Sequence, residues 1–143
     1  MSAPALRGRV IWHNLLFLIL NPIAALILTP IYLATHGVSW GLVLFLAITY
    51  TISNMAITSG YHRYFSHRTF NLPRWMENIY VIVGAGSFQG SILQWCSDHR
   101  RHHREVDGND DPYSRSKGFW FAHITWMFRR DPHPEATIYP KDL

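Results

Sequence analysis

Between Arg9 and Arg63 the chain runs for 53 residues without a single Asp, Glu, Lys or Arg. No other feature limits the possible folds so sharply. The stretch is more than twice the ~20 residues that carry an α-helix across a bilayer once, and far longer than a core helix of a water-soluble domain needs. All nine acidic residues lie at Glu77 or later, and eleven of the thirteen basic ones at Arg63 or later. The near-zero mean hydropathy of the whole chain is therefore a cancellation between two unlike halves.

The charge-free stretch divides at Thr35-His36-Gly37-Val38-Ser39, a short polar connection between two apolar segments of membrane-spanning length. This predicts a transmembrane helical hairpin: spans at residues 12–34 and 40–60, joined by an external turn at 35–39. Pro22 and Pro30 fall inside the first span, where neighbouring helices can satisfy the carbonyls that a proline frees. Arg7 and Arg9 flank one open end of the hairpin, Arg63 and Arg68 the other. The excess of cations on cytoplasmic flanks then puts both open ends, and both termini, in the cytoplasm. Two arginines before an apolar run also outline a signal peptide, but the run is too long and Asn21-Pro22 is no small-residue cleavage site. Residues 1–11 are read as the cytoplasmic lead-in to an uncleaved anchor.

Residues 61–143 are expected to form a cytoplasmic and interfacial cap. Asn71-Leu72-Pro73 reads as a helix start, and the segment from there to Trp95 is apolar but interrupted by Arg74, Glu77, Gly84, Gly86 and Gly90. If it crossed the bilayer, the histidines before and after it would lie on opposite sides, so it is read as lying along or dipping into the cytoplasmic interface. The aromatic stretch from Gly118 to Phe128 is too short to span and is also read as interfacial. The predicted fold class is an all-α integral, multi-pass membrane protein: a hairpin, interfacial helices and a histidine-bearing cap.

The single cysteine, Cys96, excludes an intramolecular disulfide and a thiolate zinc site, so any metal must be held by His or carboxylate. It is read as a packed thiol. The net charge of +4 is no sign of nucleic-acid binding, because the cations sit beside apolar segments, where they meet lipid headgroups or an anionic ligand.

Five of the nine histidines stand in two clusters. In Asp98-His99-Arg100-Arg101-His102-His103 they fall at i, i+3 and i+4, so on a helix all three imidazoles project from one face within a turn, a metal-ligand arrangement. A basic patch on anionic lipid is the competing reading, but Lys or Arg serves that purpose better than neutral imidazole. In His62-Arg63-Tyr64-Phe65-Ser66-His67 the spacing is five, which on an ideal helix turns the second ring about 140° from the first. Sharing one centre then requires that a histidine leave the helix or that the helix distort; headgroup contact is an equal alternative for this pair taken alone. His13, His36, His123 and His133 lack a partner at ligand spacing. Asp107, Asp110 and Asp111 read as a solvated loop, or as carboxylates that orient ligand imidazoles.

Taken together, Gly60-Tyr61-His62-Arg63-Tyr64-Phe65-Ser66-His67-Arg68-Thr69-Phe70 and Asp98-His99-Arg100-Arg101-His102-His103 resemble the first and second histidine boxes of the membrane acyl-CoA fatty acid desaturases of the stearoyl-CoA, delta-9 type. Asp110-Asp111-Pro112-Tyr113-Ser114 and Gly118-Phe119-Trp120-Phe121-Ala122-His123 are similar to the run that follows the second box. The resemblance implies a di-iron centre with His62, His67, His99, His102 and His103 among its ligands. It implies that O2 and two electrons from a cytochrome b5-like or ferredoxin donor introduce a double bond into a fatty acyl-CoA, in contact with membrane lipid. Iron(II) accepts imidazole well, and an all-nitrogen sphere holds no thiolate for the oxidant to destroy. Arg115 and Lys117 are candidates for the coenzyme A phosphates, with a solvated surface role as the alternative.

The same resemblance implies a third box, HxxHH, and a further ligand histidine beyond two later transmembrane helices, and nothing after His103 supplies either. The expectation is a fragment, split gene or degraded copy that does not turn over alone and needs a complementary chain. A histidine-box lipid or alkane hydroxylase and a noncatalytic membrane segment are the alternatives.

Overall fold

A computed structural model describes residues 9–131 and 138–143. Arg7, used for the topology, and His133, given no metal role, lie outside the described residues. Among the described residues every regular element is helical, and the one extended pairing is a bridge between Val10 and Arg129.

Helix α1, Trp12–His36, is 25 residues long, or about 37 Å, enough for the ~30 Å hydrocarbon layer of a bilayer. It carries Pro22 and Pro30 without ending at either. The helix continues past the expected boundary to His36, whose ring stacks on Tyr32 at 4.8 Å and whose Nδ1 meets the Thr35 hydroxyl. The turn is thereby reduced to Gly37, Val38 and Ser39, with Gly37 at φ 71°, a conformation that costs glycine least. Helix α2, Trp40–Met55, runs without a break into a π-helix, Ala56–Ser66. Both α1 and the continuous helix Trp40–Ser66 are long and apolar enough to cross a membrane. Neither α1 nor α2 has a buried residue. Toward the closed end the two helices face each other across a cleft of about 500 Å³ between Leu28, Tyr32 and Leu33 on one side and Val38, Leu42 and Leu46 on the other.

The core lies at the open end, where the π-helix meets the next two helices. Segment 71–95, which the sequence suggests as one interfacial element, is two helices: α3, Arg74–Gly86, and α4, Ile92–Arg104. They part where Phe88 and Gly90 take positive φ values of 56° and 82°. Pro73 caps α3 from outside its first turn, in an extended conformation that suits a residue with fixed φ and no N–H. Thirteen residues make α3 about 20 Å long, too short to span. The turn that follows it stays low on the hairpin, because Phe88 packs on Phe17, 5.4 Å between ring centroids and little more than one turn into α1.

Tyr61, Tyr64, Phe65 and Cys96 form the buried cluster, with Ile57, Phe70, Leu72, Tyr80, Ile92 and Trp95 packed around it. Two glycines let α3 approach so closely. A Cβ on Gly84 would sit 2.3 Å from the Tyr61 ring, and one on Gly60 would sit 2.8 Å from the ring of Tyr80. Each tyrosine thus lies over a glycine of the opposite helix. At roughly 2 kcal/mol for each large side chain fully removed from water, this patch fixes where α3 and α4 sit.

Beyond α4 come two 3₁₀ turns, Arg115–Lys117 and Thr125–Phe128, and the short α5, Phe119–His123, between them. The aromatic segment docks at the base of α1. Ile11 N donates to Phe128 O at 2.7 Å, Asn14 Nδ2 to Met127 O at 3.0 Å, and Arg130 N to Arg9 O at 2.9 Å.

Candidate metal centre

The first histidine pair sits at the end of the π-helix, and the pitch of that helix resolves the awkward spacing. His67 N donates to His62 O at 3.1 Å, a hydrogen bond that closes on the fifth residue and not the fourth. The wider turn brings the two rings to 4.8 Å between centroids. Of the two possibilities left open by the sequence, the helix distorts, and His67 stands just beyond its last residue as the C-cap.

The second pair is carried by α4, whose Ser91 caps the N-terminus by accepting from Gln94 N at 3.2 Å. Four residues separate His99 from His103, so both rings leave the same face, 4.6 Å apart. The elements meet with His99 at the centre. Its Nε2 lies 3.0 Å from Nε2 of His67 and 3.1 Å from Nε2 of His103, and its ring is 4.6 Å from that of His62. One nitrogen from each of His62, His67, His99 and His103 falls within 4.8 Å of the others. Trp95, one turn before His99, stacks on its ring at 4.9 Å.

His102 is not in this group. Its ring turns to the neighbouring side of α4, 6.5 Å from that of His99, and its Nδ1 lies 3.0 Å from both carboxylate oxygens of Asp111. Asp111 is fully buried and held by the backbone N–H groups of Asp107 at 2.9 Å and Tyr113 at 3.1 Å. The Tyr113 ring covers the other side of His102 at 4.6 Å. Of the three loop aspartates, Asp111 therefore orients an imidazole, Asp107 accepts from the backbone N–H of Arg115, and Asp110 is exposed. Lys117 is also committed to this loop: its Nζ donates to the carbonyls of Asn109 and Asp111, both at 2.9 Å, and so does not point out toward a phosphate.

The crowding of imidazoles sets their charge. Burial, followed by the neighbouring His62, His103, His67 and His102, pushes His99 down to about 3. Burial first, then His62, His103 and Arg100, lowers His67 as well. Both stay neutral at pH 7 with a lone pair free, the state in which imidazole binds metal. His36 and His123, which lacked ligand spacing, are elsewhere, His123 stacked on Phe119 at 4.1 Å.

Two features of the site go beyond the sequence reading. Trp95 stands four residues before His99, so its stacking was available as helical spacing. The contacts of Arg100 with the first box were not: Nε donates to Ser66 O at 2.9 Å and Nη2 to Phe65 O at 2.8 Å, across more than thirty residues of chain.

Comparison with known proteins identifies the family. Residues 37–140 match the family model described as fatty acid desaturase. The sn-1 stearoyl-lipid 9-desaturase of Synechocystis is 41% identical over 107 residues, 73% of this chain and 34% of that protein. The enzyme of the same name from Anabaena variabilis is 33% identical over 143 residues, 99% of this chain and 51% of its own length. A probable acyl-CoA desaturase of Schizosaccharomyces pombe is 46% identical over 84 residues, covering 59% of this chain and 18% of that protein. The chain thus spans about half or less of the relatives it matches, and it belongs to the fatty acid desaturase family.

Proposed function

We propose that this chain contributes the membrane hairpin and the first two histidine boxes of a fatty acyl desaturase, holding one iron with His62, His67, His99 and His103 and offering His102 toward a second. The observation that carries the reading is the convergence of four ring nitrogens from two boxes, with no carboxylate or thiolate among them. The donor set fits a cation. An imidazole nitrogen has one lone pair or one N–H, so Nε2 of His99 cannot serve both His67 and His103 as a hydrogen-bond partner, whereas a cation among them satisfies all three. Imidazole suits zinc, copper, iron and nickel alike, and family membership is what favours iron.

Iron, when bound, supplies the O2-derived oxidant that breaks an unactivated C–H bond. The overall change removes one hydrogen from each of two adjacent methylenes; with two electrons and two protons from outside, O2 leaves as two waters. The chain's own residues hold and shield. Asp111 accepts the Nδ1 proton of His102 and so keeps the lone pair on Nε2 for a metal. Trp95 stacks on one face of the His99 ring. The bare faces of α1 and α2 suit lipid and an acyl tail. With Arg9, Arg63 and Arg68 at the open end, the histidines face the cytoplasm.

Stearoyl-lipid in the names of the cyanobacterial relatives and acyl-CoA in that of the yeast one support an acyl substrate on either carrier. The remaining ligands come from a segment with an HxxHH box, joined or co-expressed. The test is fatty-acid analysis by gas chromatography in a desaturase-deficient host carrying this chain with such a segment. New monounsaturated product that disappears on His103→Ala supports the reading; product that persists in that variant refutes it.

A further inference from the structure

Residues 138–143 run along the side of α4 that faces away from the histidine cluster. The Ile138 carbonyl accepts from Ser97 Oγ at 3.0 Å, and the Tyr139 hydroxyl donates to Gln94 Oε1 at 3.1 Å. One further turn along the helix, the carboxylate of Asp142 receives Nη1 and Nη2 of Arg100, each at 2.9 Å. The segment is a strap laid on the second-box helix.

Asp142 also reaches the first box. Its Oδ2 accepts from Arg68 Nε at 3.0 Å, and its main-chain carbonyl accepts from Arg68 Nη2. Arg68 directly follows His67 and has φ 53°, the left-handed conformation in which non-glycine residues are strained. It is where the chain leaves the π-helix, with its own N–H bonded to Tyr64 O at 3.1 Å. Arg100, meanwhile, turns two further N–H groups to Phe65 O and Ser66 O, carbonyls of the final π turn that a helix end leaves without internal partners.

We infer that Asp142 is a positioning residue for the metal centre: through Arg100 and Arg68 its carboxylate fixes the angle between the two histidine-bearing helices. This rests on the metal-binding reading of the four histidines. Arg100 is the neighbour of His99 and Arg68 the neighbour of His67, whose Nε2 atoms are 3.0 Å apart. A clamp on the flanking residues sets that distance without touching a ligand. The geometry is the strong form of an ion pair. Two N–H groups of one guanidinium meet two carboxylate oxygens, with a second arginine sharing the acceptor, whereas an isolated exposed pair contributes little.

The test is titration of the full chain in detergent with Co²⁺, read by affinity and by ligand-field absorption bands. Asp142→Asn and Asp142→Ala are expected to weaken binding about tenfold and to move the bands, because the four nitrogens no longer reach one geometry. Asp142→Glu should recover part of both. Arg100→Gln combined with Asp142→Asn should cost less than the sum of the two single changes, since both remove the Arg100–Asp142 contact. Arg74→Gln, an exposed side chain on α3, is the unaffected control. A merely structural role would lower the amount of folded, cobalt-binding chain but leave the bands in place. If Asp142→Ala loses helicity by circular dichroism, folded Asp142→Asn decides: unchanged affinity and bands overturn the inference. The metal-binding reading fails separately, through absence of Co²⁺ binding in the unaltered chain or indifference to His103→Ala.

Discussion

His67 and His99 stand 32 residues apart in sequence, yet their Nε2 atoms approach to 3.0 Å. The approach depends on two departures from an ordinary helix. Were Ala56–Ser66 α-helical, His62 and His67 would point about 140° apart, and only one of them could face α4. Were α3 a full span, α4 would begin at the far end of the hairpin. The π pitch and the half-length α3 together return the second box to the first.

His99 is the hub of the four-histidine group, whereas His102 points elsewhere, and the two should differ as ligands. His99→Ala is expected to lower Co²⁺ affinity by more than the about 10- to 100-fold that loss of an outer-shell partner costs. His102→Ala should have a far smaller effect on the same titration. Equal losses from both would mean that five equivalent nitrogens, not four, make the first site.

Acid should unfold the metal-free chain through these histidines. His99 titrates near its ordinary 6.5 when unfolded and is pushed down to about 3 when folded, so between those values the unfolded chain holds a proton that the folded chain refuses. Stability therefore rises with pH across that window and is lost as pH falls through it. His67, lowered in the same direction, adds to the slope. Thermal melts in chelator from pH 7 to pH 4 should show a falling midpoint, with a shallower fall in His99→Gln. Parallel curves for the two proteins would contradict the assignment.

The hairpin was legible because charge exclusion is a property of composition, and 53 uncharged residues admit few alternatives. Of the five candidate histidines, His99 and His103 share a face as their spacing of four implies, whereas His62 and His67 come together only through the π pitch and His102 turns to Asp111. Other features depended on tertiary contact and left no local trace. Asp107, Asp110 and Asp111 are chemically alike and differ in that Asp111 is buried under His102. Asp142 meets Arg100 across 42 residues, a pairing that no periodicity encodes. Gly84 read as an interruption in an apolar helix, when its missing side chain is what admits the Tyr61 ring.

That last contact gives a stability prediction. Gly84→Ala puts a methyl group 2.3 Å from a ring buried in the core, so α3 must move away from the π-helix or Tyr61 must leave its rotamer. A loss of about 1–3 kcal/mol is expected, as for other overpacked cores, despite the better helix propensity of alanine. Gly86→Ala, where a Cβ would meet nothing within 4 Å, should be neutral or slightly stabilising. Denaturation in detergent micelles measures both, and equal effects would show that α3 does not pack on Tyr61 as described.

The carboxylate of Asp111 offers the sharpest test of the proposal that His102 serves a second metal. It accepts from His102 Nδ1 while two backbone N–H groups hold it in place, an arrangement that fixes both the tautomer and the direction of the ring. Asp111→Asn preserves the shape but removes the charge, and its amide can offer His102 an N–H where an acceptor is needed. In the joined, active protein this variant is expected to make roughly 10- to 100-fold less monounsaturated product per cell, judged by gas chromatography at matched expression. Co²⁺ binding to the four-histidine group should be almost unchanged in the same variant, because Asp111 contacts His102 and none of the four. Full product formation in Asp111→Asn would remove His102 from the ligand set. Loss of Co²⁺ binding together with product would instead mean that the loop from Asp107 to Tyr113 supports the whole of α4, and that the two metal positions are not prepared separately.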